Sequence, residues 1–581
     1  TNADPVTAFV TTNSLFGAIT DQGGVYDALV YNGRHLQNLS IDVSAVDTTS
    51  VTGGTCLITS ATINNDIPWD TFCIGKSVNV YKDSSTSQTK TLDQGKFYGI
   101  TNKYLNTING NSTTISGLDI VGATDAGLIA MAEGSDKSSV LTISYLTLSN
   151  TKVTAAGSGN AGCFVGRVAG NIKDVTLACC SVTGDSLSVK AAGGNAGGLI
   201  GHSDATGIIT VSDGALKATT ISIDGSNCAG GFIGRNEAGS ELNITSALIS
   251  TTTAEIVANG SQAGGLIGID KAAKTEISGA SVKAEATDRT TTEFNVTSNA
   301  GAAGGIVGDV DKSGGTLSIS SSQFDSGFSG TLQGVNYAGG LIGYANTGTL
   351  SVTESSSTAY VKGTGSGSTG GLIGCMSGAT ATIDKTYSAG RTKDGGYGID
   401  PAVLSSNAEN AQGRVNVNGA GVSGGFIGTV SDGNTTVKNS YTTDSVYGTT
   451  SVGGFVGAIS NGALNVTNSY SAGWVGTVTS TGKAGCFAGT GAASITATTS
   501  YYLDGVADSV SQAAGDQTTD IAGVTKAGTT TEGGPFKVED ASKTTAIPYD
   551  TTLGSKYPYK TTEMLEGATT GGTHIGDWGL P

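Results

Sequence analysis

GGLIG at 197–201 returns as GGFIG at 230–234 and as GGLIG at 264–268. It returns again as GGIVG at 304–308, GGLIG at 339–343 and 370–374, GGFIG at 424–428 and GGFVG at 453–457. Two variants, AGCFVG at 161–166 and AGCFAG at 484–489, keep the glycine frame. A degenerate copy, AGLIA at 126–130, ends in Ala130 where the others place glycine. The steps from Gly197 to Gly230, Gly230 to Gly264 and Gly304 to Gly339 are nearly equal. The steps from Gly264 to Gly304 and from Gly370 to Gly424 are longer and read as local insertions. The common step, about 33 residues, is the size of a repeat unit, and such a unit is too small to bury its own apolar face.

Short alternating segments follow the motif. Leu317/Ile319, Leu350/Val352, Leu464/Val466 and Ile495/Ala497 each place apolar residues two apart between Ser, Thr or Asn. Period-two alternation in β-branched runs predicts strands, and the glycine clusters between them predict turns. No stretch of roughly 12 residues keeps a helical apolar period. A propeller blade needs roughly 40–50 residues. A coil of about 33 residues fits a right-handed parallel β-helix, with each coil about 4.8 Å above the last. Strict alternation buries only one of the two apolar residues in GGΦΦG. The other is expected under a loop or against a neighbouring molecule.

Composition agrees with a packed array. Glycine accounts for 91 of 581 residues and proline for only 7, which excludes collagen-like and proline-rich chains. Hydrophobic residues at 37% and charged residues at 13% argue against disorder. The net charge of −17 disfavours nucleic acid and anionic membranes as partners. No apolar run approaches the roughly 18 residues that span a bilayer. Eight cysteines contain no CxxC pair, and His35, His202 and His574 lie far apart, so no metal framework and no cofactor site is expected. Cys56 and Cys73 could close a small loop. Cys163, Cys228, Cys375 and Cys486 fall in or beside the motif and read as small buried hydrophobes.

The AGGLIGY-type repeat resembles the GLUG motif of bacterial surface proteins, including adhesins and parts of IgA-peptidase-like proteins. YNGRHLQNLS at 31–40, NNDIPW at 64–69 and INGNSTTISGLDI at 108–120 resemble the segment that precedes such repeats. NSYTTD at 439–444 and NSYSAG at 468–473 resemble the family's NSYxxG element. The tail YPYKTTEMLEGATTGGTHIGDWGLP resembles a closing segment of large Gram-positive surface proteins. Over roughly residues 25–505 the resemblance implies a β-solenoid at a cell surface. It implies no catalytic residues.

Two residue columns are candidates for binding. The residue after each motif reads Arg167, His202, Arg235, Ile269, Asp309, Tyr344, Cys375, Thr429, Ala458 and Thr490. The run Arg167, His202, Arg235 could fork an anionic glycan or a partner carboxylate, or be paired locally. Tyr387, Tyr441, Tyr470 and Tyr501 stand at a near-constant interval past Gly370, Gly424, Gly453 and Gly485. Stacked tyrosines suit a solenoid interior or, if exposed, a sugar. Tyr441, Tyr470 and Trp474 are the aromatic ligand candidates. An enzyme would need carboxylates converging from neighbouring coils. Asp309 and Asp311 share a face, but no acid stands at the same register one coil away.

Residues 1–120 are expected to form an N-terminal cap and first coils, 121–505 the regular array, and 506–581 a C-terminal segment. The functional expectation is an extracellular or cell-surface structural or adhesion protein: a rod, not an enzyme, that displays loops or self-assembles into filaments. Host or cell-wall glycans or surface proteins are further expected partners, and no membrane span is expected. A carbohydrate-binding module and a polysaccharide lyase or hydrolase are the alternatives. With no initiator Met and no signal peptide, and Thr1 as the first residue, a leader or anchor is expected to have been processed or left out. The extra sequence at 391–415 is expected to protrude.

Overall fold

The computed structural model describes residues 19–21, 25–39, 57–69, 80–83, 86–88 and most of 95–527. Within that last span it leaves out 135–138, 238, 240, 286–291, 328, 390–414, 478–481, 504–511 and 517–519. The chain is all-β, with parallel strands stacked as a β-solenoid about 33 residues per turn. It divides into two compact units, Thr1–Ser250 and Thr251–Pro581.

In the first unit the alternating segments pair in register. Leu141 and Ile143 lie against Val175 and Leu177, these against Ile209 and Val211, and these against Leu242 and Ile244. All eight side chains are buried. Their partners Thr142, Thr176, Thr210 and Asn243 alternate with them and stay partly exposed. One coil thus supplies one layer of a continuous core. Each fully buried aliphatic side chain contributes roughly 1.5–3 kcal/mol. Parallel stacking already joins Val25–Val30 to Leu57–Ile63 and Leu57–Ile63 to Thr107–Ser116, so these three strands before residue 121 belong to the solenoid. One short helix, Gly33–Asn38, was not expected from the sequence. Asn32 caps it by accepting the His35 amide at 3.0 Å.

The second unit has a column of the same kind, through Leu317/Ile319, Leu350/Val352, Ala381/Ile383, Thr435/Val437, Leu464/Val466 and Ile495/Ala497. The step from 370 to 424 leaves the register intact. Val361 pairs with Val417 as though nothing lay between Ser388 and Val417. The expected protrusion at 391–415 lies almost wholly outside the described residues. Cys56 and Cys73 also lie outside them, as do residues 528–581. Parallel pairing extends to Val524–Ala527, which lies beside Ser500–Leu503.

The motif itself corrects one expectation. Both central apolar residues are buried in every GGΦΦG copy; Leu199 and Ile200 are each 0% exposed. The chain bends at Gly198 and Leu199, between the strands Ala196–Gly197 and Ile200–Ser203. A corner replaces the alternation, so consecutive side chains both point inward. The bend has a fixed hydrogen-bond signature. The amides of Leu199 and Ile200 both donate to the Phe232 carbonyl at 2.9 Å, as those of Phe426 and Ile427 do to Phe455 at 2.9 and 3.0 Å.

The second motif glycine is required by close approach. A Cβ at Gly454 would stand 2.1 Å from the Cys486 carbonyl oxygen and 2.3 Å from the Ser471 hydroxyl on the opposite wall. Phe426, Phe455 and Phe487 then stack through the corner with centroids 4.8 and 4.9 Å apart.

A second corner carries a left-handed residue once per coil. In the first unit these include Tyr145, Cys179, Asp213 and Ser246; in the second they include Ser321, Glu354, Lys385, Asn439, Asn468 and Thr499. Left-handed backbone at a non-glycine residue is costly, and only a surrounding structure that over-determines it maintains it. Here the amides of Cys179, Asp213, Ser321, Glu354, Lys385, Asn439 and Asn468 donate to the next coil, that of Asn439 to Thr467 at 3.1 Å.

Candidate functional site

The residues after the motif form a true column. In the first unit Arg167 is in register with His202, and His202 with Arg235. The small strands Ala161–Gly162, Ala196–Gly197 and Ala229–Gly230 stack beside it. Just ahead of those strands runs an amide ladder. Asp125 Oδ1 accepts the Asn160 amide at 2.8 Å and its side-chain nitrogen at 2.9 Å. Asn160 Oδ1 accepts the same two groups from Asn195 at 3.0 and 2.8 Å. Asn195 Oδ1 then accepts the Cys228 amide at 3.2 Å. Asn before Ala-Gly at 160 and 195 was the available sequence signal for this ladder.

The basic column is paired with its own carboxylates. Arg167 places Nη2 2.8 Å and Nε 3.2 Å from Asp204 Oδ2. Arg235 Nε donates to Glu237 Oε2 at 2.5 Å. His202 sits between them with Nε2 3.2 Å from Asp204 Oδ1 and Nδ1 3.2 Å from Asn195 Nδ2. An amide nitrogen can only donate, so Nδ1 accepts and Nε2 carries the proton. Burial lowers the His202 pKa; Asp204 opposes this, and Arg167 and Arg235 add to it. The cluster is therefore charge-balanced, with a neutral imidazole held at both nitrogens. An incoming anion has to displace Asp204 or Glu237. That outcome favours local pairing over an open anion fork.

The tyrosine column also forms, with Tyr387, Tyr441, Tyr470 and Tyr501 in register. The rings of Tyr387, Tyr441 and Tyr470 stack inside the second unit. Tyr387 lies 5.1 Å from Tyr441, and Tyr441 4.9 Å from Tyr470. Tyr441 and Tyr470 are fully buried, and Trp474 is 4% exposed against Gly476. As exposed ligand platforms, these three are corrected: their rings are core. The column's neighbour explains the NSY element. Ser322, Ser355, Thr386, Ser440, Ser469 and Ser500 are buried and each returns its hydroxyl to the carbonyl two residues back. Ser440 also accepts the Thr386 amide at 3.2 Å, and Ser469 that of Ser440 at 3.2 Å. In NSY, Asn supplies the left-handed corner, Ser the internal ladder and Tyr the internal stack.

Sequence reading missed three other features. Asp444 is buried, and the hydroxyls of Ser388 and Thr442 donate to its Oδ2. Its Oδ1 meets no donor among the described residues, and burial pushes its pKa up to about 7. Tyr337 and Tyr344, on either side of the motif, stack at 4.6 Å and remain partly exposed. Beside them Asp309 accepts Gln262 Nε2 at 2.7 Å. Asp311 is exposed and accepts Asn346 Nδ2 at 3.2 Å; one coil on, the register partners of the two acids are Tyr344 and Asn346. The third feature is a buried trio, Asp270, Thr275 and Lys312.

Cys163, Cys180, Cys228, Cys375 and Cys486 are buried, and burial pushes the Cys163, Cys180 and Cys375 thiols up. Among the described residues no three His, Cys, Asp or Glu gather to hold a metal ion, and no helix is long and apolar enough to cross a membrane.

No family model and no curated protein matches this chain. Among solved structures it is similar to a Bacteroides ovatus protein described as a "putative immunoglobulin A1 protease", with 14% identity and a TM-score of 0.31. The match covers 61% of this chain and 80% of that one.

Proposed function

We propose that this chain is an extracellular bacterial surface protein whose solenoid serves as a structural or adhesive scaffold, displaying loops or associating with copies of itself. The observation that carries this reading is how its regular polar features are used. The Asn160–Asn195 and Ser440–Ser469 ladders, the Tyr441–Tyr470 stack and the Arg167–Asp204 pair all tie one coil to the next. Side chains committed to coil stacking build a scaffold. The resemblance to GLUG-repeat surface proteins supports the surface location. The acidic composition supports partners other than nucleic acid. The expected partners are the chain itself, host or cell-wall glycans, and surface proteins.

Antibody labelling of intact cells of the source organism tests the location, and signal only after lysis overturns it. Electron microscopy of the purified chain across a concentration series tests assembly. Fibres support self-association, and separate particles at every concentration point to display.

A second reading, carbohydrate binding, draws on a different place from the one the sequence suggests. Tyr337 and Tyr344 are stacked on each other and partly exposed, and Asp309 and Gln262 supply polar groups beside them. Aromatic faces flanked by hydrogen-bonding groups suit a sugar ring. A glycan array run with wild type and the Tyr337→Ala/Tyr344→Ala variant tests it, and no difference between the two removes it. The third reading, a polysaccharide-cleaving enzyme, predicts new reducing or unsaturated ends from a polysaccharide panel, with or without Ca²⁺.

A further inference from the structure

Lys312 and Asp270 sit in adjacent coils of the second unit, and almost nothing of either side chain reaches solvent: 2% and 0%. Lys312 Nζ stands 2.6 Å from Asp270 Oδ2 and 2.5 Å from Thr275 Oγ1. Thr275 Oγ1 in turn stands 2.5 Å from Asp270 Oδ2, so the three groups close a triangle. The Ala272 amide donates to the other carboxylate oxygen, Oδ1, at 3.1 Å. The local chain path builds this arrangement. Val310 is in register with Asp270, and Thr316 with Lys274. The segment 311–315 therefore carries two more residues than the segment 271–273 below it. The next coil shows the same excess, with Lys312 opposite Thr347 and Thr316 opposite Thr349. The extra residues form a bulge from which Lys312 reaches back into the preceding coil.

A lone buried ion pair recovers its desolvation cost poorly. A buried amine and carboxyl group held in contact are, however, the reactants of an amide condensation. We propose that Lys312 and Asp270 join through an intramolecular isopeptide bond that covalently ties the two coils. The Nζ–Cγ bond forms and the Cγ–Oδ2 bond breaks. Starting from the ion pair, two of the three ammonium protons leave with Oδ2 as water, and the third stays on the amide nitrogen. No oxidant or co-reactant is consumed.

Each neighbour has a role in that step. Burial lowers the Lys312 pKa, which favours the uncharged amine that can attack. Thr275 Oγ1 touches both Nζ and Oδ2 and is placed to pass a proton between them. The Ala272 amide faces Oδ1, where negative charge grows as Nζ adds to Cγ. Fixed contact in a buried site replaces the entropy that a bimolecular condensation has to lose.

The test is the intact mass of the purified full chain under denaturing conditions, followed by digestion and peptide sequencing. The expected mass is lower than the sequence mass by one water. The peptide containing Asp270 should be recovered joined to the one containing Lys312. Lys312→Arg keeps the cation and removes the nucleophile, so it should show the full sequence mass. The readout is denaturing and needs no folded variant. Wild type at its full sequence mass, with Lys312 in an unlinked peptide, overturns the proposal and leaves a buried ion pair. A water lost elsewhere, without the joined peptide, overturns it equally.

Discussion

Tyr441 lies on Tyr470 with ring centroids 4.9 Å apart and planes 16° from parallel, and neither ring reaches solvent. The two residues are register partners in consecutive coils, so the pair is part of the ladder that builds the second unit. Truncating one ring opens a cavity that the parallel backbone, fixed on both sides, cannot collapse. Tyr470→Ala should cost about 3–5 kcal/mol, the range for removing a buried aromatic. Denaturant unfolding measures it. A loss near zero, with changed glycan binding, would return the ring to the surface.

Ser440 accepts an amide from one coil and hands its proton to a carbonyl of its own. Ser440→Ala leaves the buried Thr386 amide without that acceptor and should cost about 1–3 kcal/mol. Thr436, on the partly exposed alternate positions of the preceding strand, is the control; Thr436→Ala should stay within about 0.5 kcal/mol. Equal losses in the two variants would mean that the buried ladder hydroxyls contribute no more than a partly exposed one does.

The difference between these two serine and threonine positions marks what was legible in the sequence. Period and alternation gave the coil, its length and the inward column of Leu317, Leu350 and Leu464, because apolar spacing reports burial directly. They did not reveal that Ser440 and Tyr441 point inward, since a polar residue looks the same on either side of a corner. The GGΦΦG bend was hidden for a related reason. Alternation assigns Leu199 and Ile200 to opposite faces, and only a corner between them puts both inside. The Arg167, His202, Arg235 column was visible, but its partners Asp204 and Glu237 were not. They lie two residues further on, past the end of the motif.

A buried carboxyl group and a half-buried imidazole should give the two units opposite responses to pH. Asp444 in the folded second unit titrates at about 7, above its ordinary 3.8. Between those values the folded chain holds a proton that the unfolded chain has released. Its contribution is complete below about 4 and is lost as pH rises to about 7. His202 in the first unit is shifted the other way, below 6.5. Its contribution is present above 6.5 and is lost as pH falls through the lowered value. Hydrogen exchange read on separate peptides should show protection around 441–446 falling from pH 5 to pH 8. Protection around 200–204 should rise over the lower part of that range. Asp444→Asn should flatten the first trend without touching the second; an unchanged trend assigns it to another group.

Arg167, His202 and Arg235 give the sharpest separation between scaffold and binding site. Each arginine already holds a carboxylate, and His202 uses both ring nitrogens. If these pairs are structural, the triple alanine variant loses stability in the first unit and keeps any glycan or partner binding that wild type shows. The loss should be modest, because Arg167 is 42% exposed and solvent screens its pair. Reversing the charge on one partner sharpens the test. Asp204→Lys places a cation against Arg167 and should destabilise more than Asp204→Asn. If the column instead receives an anion, Asp204→Asn frees Arg167 and should strengthen binding to acidic glycans, with a steeper dependence on salt. Thermal unfolding and an acidic-glycan titration of the same three variants distinguish the two, since pairing moves the first measurement and an open anion site moves the second.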